Sequence, residues 1–164
     1  MTATPICATP LALAHRAGEL PPPDALCPGT AARGRSHSPR ILCMTRTQNA
    51  ATFISVLFHS ATNAHFMHLQ TKSYSEHVAL GAYYDTIIDL VDKLAEAYQG
   101  RYEVIADYPS DYHIAKRPLA YIEQIKDFVD KIRKVLPDDT QLQNIVDEIA
   151  ELLDSTCYKL KNLK

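Results

Sequence analysis

Four separate stretches of this chain repeat apolar residues at steps of three and four, the spacing that gathers them on one face of a helix. In the first, from about Thr47 to Leu69, the shared face holds Ile54, Leu57, Phe58, Ala61, His65 and His68. The second begins after Ser73 and runs to about Tyr98, with Leu80, Tyr84, Ile87, Ile88, Val91, Leu94 and Ala95 along its face. The third starts near Pro118 and uses Ile122, Ile125, Val129, Ile132 and Val135. The last carries Leu142, Ile145, Ile149, Leu152, Leu153, Cys157 and Leu160. No segment alternates as a strand would, so the expected fold class is all-α.

The breaks between these stretches predict their connections. After a break at Gln70-Thr71-Lys72, Ser73 stands three residues before Glu76, the spacing of a capping box. Gly100 can take the left-handed conformation that ends a helix. Pro118 suits a first helical turn, and Pro137-Asp138-Asp139 separates and caps the last helix. The segment from Arg101 to Lys116 is long enough to cross a bundle, so the middle helices need not be antiparallel neighbours. The pattern predicts a ferritin-like four-helix bundle with one longer crossover connection over residues 47–164.

Residues 1–46 read differently. Seven of the ten prolines and three of the four cysteines (Cys7, Cys27, Cys43) precede Met44. Arg16, Arg33, Arg35 and Arg40 face only Glu19 and Asp24, and no apolar period is present. Such a segment buries too little surface to offset its ordering entropy, and disorder is expected. Other readings are an Arg-rich targeting leader, which lacks an amphipathic pattern, and sequence read from an upstream start. A third is a basic tail whose scattered arginines would touch DNA phosphates weakly and in a salt-sensitive way. The cysteine spacings show neither a disulfide framework nor a metal motif, which points to a reduced, cytoplasmic protein. A formal net charge of −2 names no nucleic-acid or membrane partner, and no apolar run reaches the roughly 20 residues of a membrane span.

Chemistry-bearing side chains concentrate in the first helix pair. His59, His65, His68 and His77 are followed by Asp85, Asp89, Asp92 and Glu96, a mixture of imidazole and carboxylate suited to iron, zinc or manganese. The plainer reading makes the carboxylates a solvated face and leaves His65 and His68 hydrogen-bonded within the core.

From Ala61 to Tyr98 the chain reads ATNAHFMHLQTKSYSEHVALGAYYDTIIDLVDKLAEAY. This resembles the Dps-type mini-ferritins, DNA-protecting iron-storage proteins of bacteria, and also uncharacterised ferritin-like domains of bacteria and their phages. That family's first-helix histidine and following aromatic are matched by His65-Phe66, its second histidine by His77, and its Asp-x-x-x-Glu by Asp92 and Glu96. A fainter similarity continues through Tyr108-Pro109-Ser110-Asp111-Tyr112-His113 and the last two helices. The resemblance implies non-haem iron held by His65, His77, Asp92 and Glu96, with oxidation of ferrous iron by oxygen or peroxide and Tyr83 or Tyr84 close by. Where the family has a further Asp, four residues after the second histidine, this chain has Gly81; His68 is the candidate compensating ligand. The connection is also short for the interface helix that the family carries there.

Spacing adds a condition. His77 and Asp92 are separated by roughly 22 Å along one helix at the standard rise, too far for one metal centre. If all four residues are ligands, the histidines of one copy must face the carboxylates of another across a two-fold axis, in a homodimer or a larger shell. The alternative is a catalytically degenerate bundle acting as an oligomeric structural or interaction module. Weak DNA association through basic tails is a third reading.

Overall fold

The computed structural model describes residues 44–163. The Pro- and Arg-rich stretch, with its three cysteines and four arginines, lies outside the described residues, as do the expectations of disorder and of DNA contact attached to it. Among the described residues there are four helices and no strand: α1 (Arg46–Gln70), α2 (Tyr74–Arg101), α3 (Pro118–Ile132) and α4 (Thr140–Asn162), with a 3-10 turn at Arg133–Val135.

The helix ends follow local chemistry more closely than periodicity does. α1 starts at Arg46 because Thr45 and Gln48 form a capping box: Thr45 Oγ1 accepts from the Gln48 N–H, and Gln48 Oε1 accepts from the Thr45 N–H. Ser73 caps α2 by accepting from the Glu76 N–H, but the box expected there is not closed. The Glu76 carboxylate accepts instead from the Thr71 hydroxyl at 2.5 Å, and Thr71 Oγ1 takes the Ser73 N–H. Gly100 is helical, not left-handed, and α2 continues to Arg101, where the Tyr102 N–H closes onto Tyr98 O. Asp139 occupies the N-cap of α4 without a side-chain bond to that helix. Its carboxylate is held by Arg101 Nε at 2.6 Å and by the Tyr102 hydroxyl, so one residue ties the end of α2 to the start of α4.

Cross-helix pairs give the directions. Between α2 and α4, Arg101 meets Asp139 and Lys93 meets Glu148, so the two run antiparallel. Lys126–Asp154 and Arg133–Asp147 make α3 antiparallel to α4. Tyr98–Thr47 and Tyr83–Ser60 make α1 antiparallel to α2. α2 and α3 are therefore parallel, and the connection between them must travel the length of the molecule. It does so along α1: Ser55 Oγ donates to Pro109 O, and Asn63 holds His113 and Ala115. α1 packs on α2 and α3, and α4 packs on α2 and α3, which leaves α2 and α3 at diagonal corners.

The core runs down the middle of these four helices through Phe53, Leu57, Leu80, Tyr83, Ile87, Val91, Ile122, Val129, Ile149 and Leu153. Five expected core positions sit further out. On α2 the fully buried aromatic is Tyr83 rather than Tyr84, and Ile88 is 44 % exposed. On α1, Phe58 and His65 face outward while Ser60 and Asn63 lie inside. Val135 is exposed on the 3-10 turn. The cause is common to the two α1–α2 discrepancies: each helix is buried by two neighbours, so its inner stripe points between them, and part of the apolar stripe is left outside. Among the described residues, no helix is long and apolar enough to cross a membrane.

Candidate metal-binding site at the α1–α2 turn

Thr71 to Ser73 reverse the chain and bring the last turn of α1 against the first turn of α2. The last carbonyls of a helix lack intrahelical partners. Here the His77 ring supplies one: His77 Nδ1 lies 3.1 Å from His68 O, and His68 Nδ1 lies 2.8 Å from His77 O. A carbonyl oxygen carries no proton, so both Nδ1 atoms must donate. In the neutral rings that leaves Nε2 of each as the lone-pair nitrogen, the tautomer that metal-bound histidines commonly adopt when a carbonyl holds their other nitrogen.

The two rings stack, with centroids 3.7 Å apart and planes at 21°. His65 stacks on Tyr84 at 4.3 Å, and its centroid is 5.9 Å from that of His68 with the planes at 69°. Gly81 forms part of this corner. A Cβ built there would lie 3.3 Å from His68 Cε1 and 3.4 Å from Nδ1, so the His68 imidazole packs close against the bare backbone and would have to shift by a few tenths of an ångström to admit even a methyl.

Of the five candidate ligands, the chain brings together His65, His68 and His77. Asp92 and Glu96 are exposed further along α2, roughly 22 Å and more from His77 at the helical rise. Among the described residues no three His, Cys, Asp or Glu side chains are arranged to hold a metal ion. The stacking of His68 on His77 explains part of this, because lone pairs lying in nearly parallel ring planes do not converge on one point. His65, Phe58, Ala61, Thr62, Phe66, Tyr84 and Ile88 line an open groove of about 290 Å³ beside the histidines.

The tyrosines divide their roles. Tyr83 is buried, bonded at 2.7 Å to Ser60 Oγ, and burial pushes its hydroxyl above the ordinary range; it lies in the core. Tyr84 is the one in contact with the histidines, stacked on His65 and edge-on to His68. The resemblance leaves Tyr83 and Tyr84 as alternatives, of which Tyr84 is the one beside the histidines; the reciprocal histidine pair has no motif of its own. The three-residue spacing of His65 and His68 and the shortness of the turn were the available signals.

An all-helical protein with a histidine corner closing its first helix pair is thus the class that the described residues define. A family of unknown function (DUF5856) matches residues 68–160, more than half of the chain, and the chain belongs to that family. The match takes in His68, His77, Asp92 and Glu96 and begins just after His65. No curated protein and no solved structure matches the chain.

Proposed function

We propose that this chain is a Dps-like, ferritin-like four-helix bundle with one crossover, which binds ferrous iron and oxidises it at sites shared by two copies. His65 and His77 of one copy would face Asp92 and Glu96 of the other, and oxygen or peroxide would accept the electrons. Iron is the substrate, and the setting is the cytoplasm. The observation that carries this reading is the distribution of donors along α2: imidazoles at its start and exposed carboxylates roughly 22 Å away, with no completed ligand set among the described residues. An antiparallel pairing of two α2 helices joins the two halves twice over, giving two equivalent sites. The helix order, with parallel α2 and α3 at diagonal corners joined by a long connection, supports the bundle topology.

One feature favours a second reading, an interaction module without catalysis. His68 fills the space over Gly81, and His68 and His77 are bonded to each other's backbone, a role that needs no metal. Ferrous iron added aerobically to the purified chain separates the two. Ferric absorbance rising well above a protein-free blank, and lost in His77→Ala and Asp92→Asn, is the expected result. No rise above the blank, with no iron retained on gel filtration, removes the ferroxidase and leaves the module.

A further inference from the structure

We propose that the same corner holds a second kind of metal site, within a single chain: His65 and His68 chelate one late first-row divalent ion of the Zn²⁺, Ni²⁺ or Cu²⁺ class. This shares the histidines with the reading above but needs neither a second copy nor Asp92 and Glu96.

His65 and His68 are three residues apart on α1, so they rise from one helix face less than a turn apart. Two imidazoles bound to one ion through nitrogens at about 2.1 Å have ring centroids roughly 5 Å apart. The observed separation is 5.9 Å with the planes inclined at 69°, so the rings stand about 1 Å further apart than a shared ion would hold them, and binding would draw and turn them toward it. The stacked His68–His77 pair, with planes at 21°, is the less suited of the two, because lone pairs in nearly parallel planes cannot meet at one ion.

Both ligands are already placed. His68 is oriented by its Nδ1 bond to His77 O, by the His77 ring stacked on it and by the bare backbone at Gly81. His65 is backed by the Tyr84 ring. His77 is then a positioning residue, and Gly81 is the position that admits His68. Water completes the coordination. A donor set of two imidazoles without a carboxylate selects for zinc, nickel or copper over the oxygen-seeking magnesium, calcium and manganese.

The full chain, stripped of metal, is titrated with Zn²⁺ by calorimetry, with Mg²⁺ in parallel. One Zn²⁺ per chain and no Mg²⁺ signal are expected, with binding weakened about tenfold or more in His65→Gln and in His68→Gln. Gly81→Val should weaken binding with every histidine still present, because its branched side chain meets the His68 ring; unchanged helix content by circular dichroism shows that the fold survives. The double variant Asp92→Asn, Glu96→Gln should bind Zn²⁺ as the parent does while losing any iron oxidation. Zinc binding that both histidine variants leave intact, or the absence of Zn²⁺ binding, overturns the proposal. Zinc binding lost in the double carboxylate variant also overturns it, and points back to the intersubunit site. Zinc binding that persists in a chain that never oxidises iron retains this inference and removes the ferroxidase.

Discussion

Asp139 sits where a capping aspartate is expected, yet its carboxylate turns from α4 toward the end of α2. The hydrogen bond from the Tyr102 hydroxyl, followed by the charge and hydrogen bond of Arg101, holds its carboxyl below the ordinary 3.8. A carboxyl with a depressed folded-state value stabilises the fold above its unfolded-state value and loses that contribution as pH falls through the folded one. Asp139→Asn is therefore expected to lower the melting temperature near neutral pH and to reduce its fall below pH 3.8, as followed by circular dichroism. In the interior, the Tyr83 hydroxyl bonds Ser60 Oγ, which itself donates to Leu57 O. Tyr83→Phe keeps that second bond and should cost about 1 kcal/mol in chemical denaturation, because Ser60 retains a partner. Neither contact could be read from residue order, since each joins groups more than 20 positions apart.

At the scale of elements, the connection over residues 102–117 shows how an unhelical segment is tied along a bundle by side chains of the helices. Ile105 is its buried anchor, and its N–H reaches Gln99 Oε1. Asn63, almost fully buried in α1, gives Nδ2 to His113 O and the Tyr121 hydroxyl and accepts the Ala115 N–H at 2.8 Å. Burial drives the Tyr121 hydroxyl up to about 12, against the lowering effect of the Asn63 bond, so it stays protonated at any physiological pH. Asn63→Ala removes partners from several groups at once and is expected to cost about 2 kcal/mol. It should also speed amide hydrogen exchange in residues 109–115 more than in α4; a uniform increase would show that the connection and the helices open together. The four helices were legible because their apolar periods are long and their breaks strong. The inner face of α1 was less so, because Ser60 and Asn63 are polar residues whose burial depends on partners from α2 and the connection.

For the whole molecule, the outer side of the α1–α2 hairpin is the informative surface. Phe58, Phe66 and Ile88 are 36 %, 41 % and 44 % exposed there, between the histidine corner and the carboxylates of α2. In the proposed assembly this surface meets its own copy. Light scattering is expected to give a dimer or a larger multiple, and Asp92→Lys with Glu96→Lys, which sets cations opposite the partner's imidazoles, should shift the mass toward monomer. A monomeric parent chain would remove the intersubunit iron site, because one helix cannot bring His77 and Asp92 together.

Local information in the sequence determined that the described region is helical, where its four helices lie and where its imidazole and carboxylate side chains fall along them. Periodicity, Thr45, Ser73 and Pro118 act within a few residues of themselves. The distance between His77 and Asp92 also belongs to the sequence once helix is granted, because a helix is rigid and its rise is fixed. Tertiary structure decided what those residues meet: that Asp139 binds α2, that Tyr83 rather than Tyr84 enters the core, and that His68 packs close against the bare backbone at Gly81. Each of these depends on how neighbouring helices rotate to bury surface together, a choice made by packing between segments distant in the chain. By resemblance Gly81 stands where the mini-ferritins carry a further Asp; within the fold it is the bare backbone on which His68 packs.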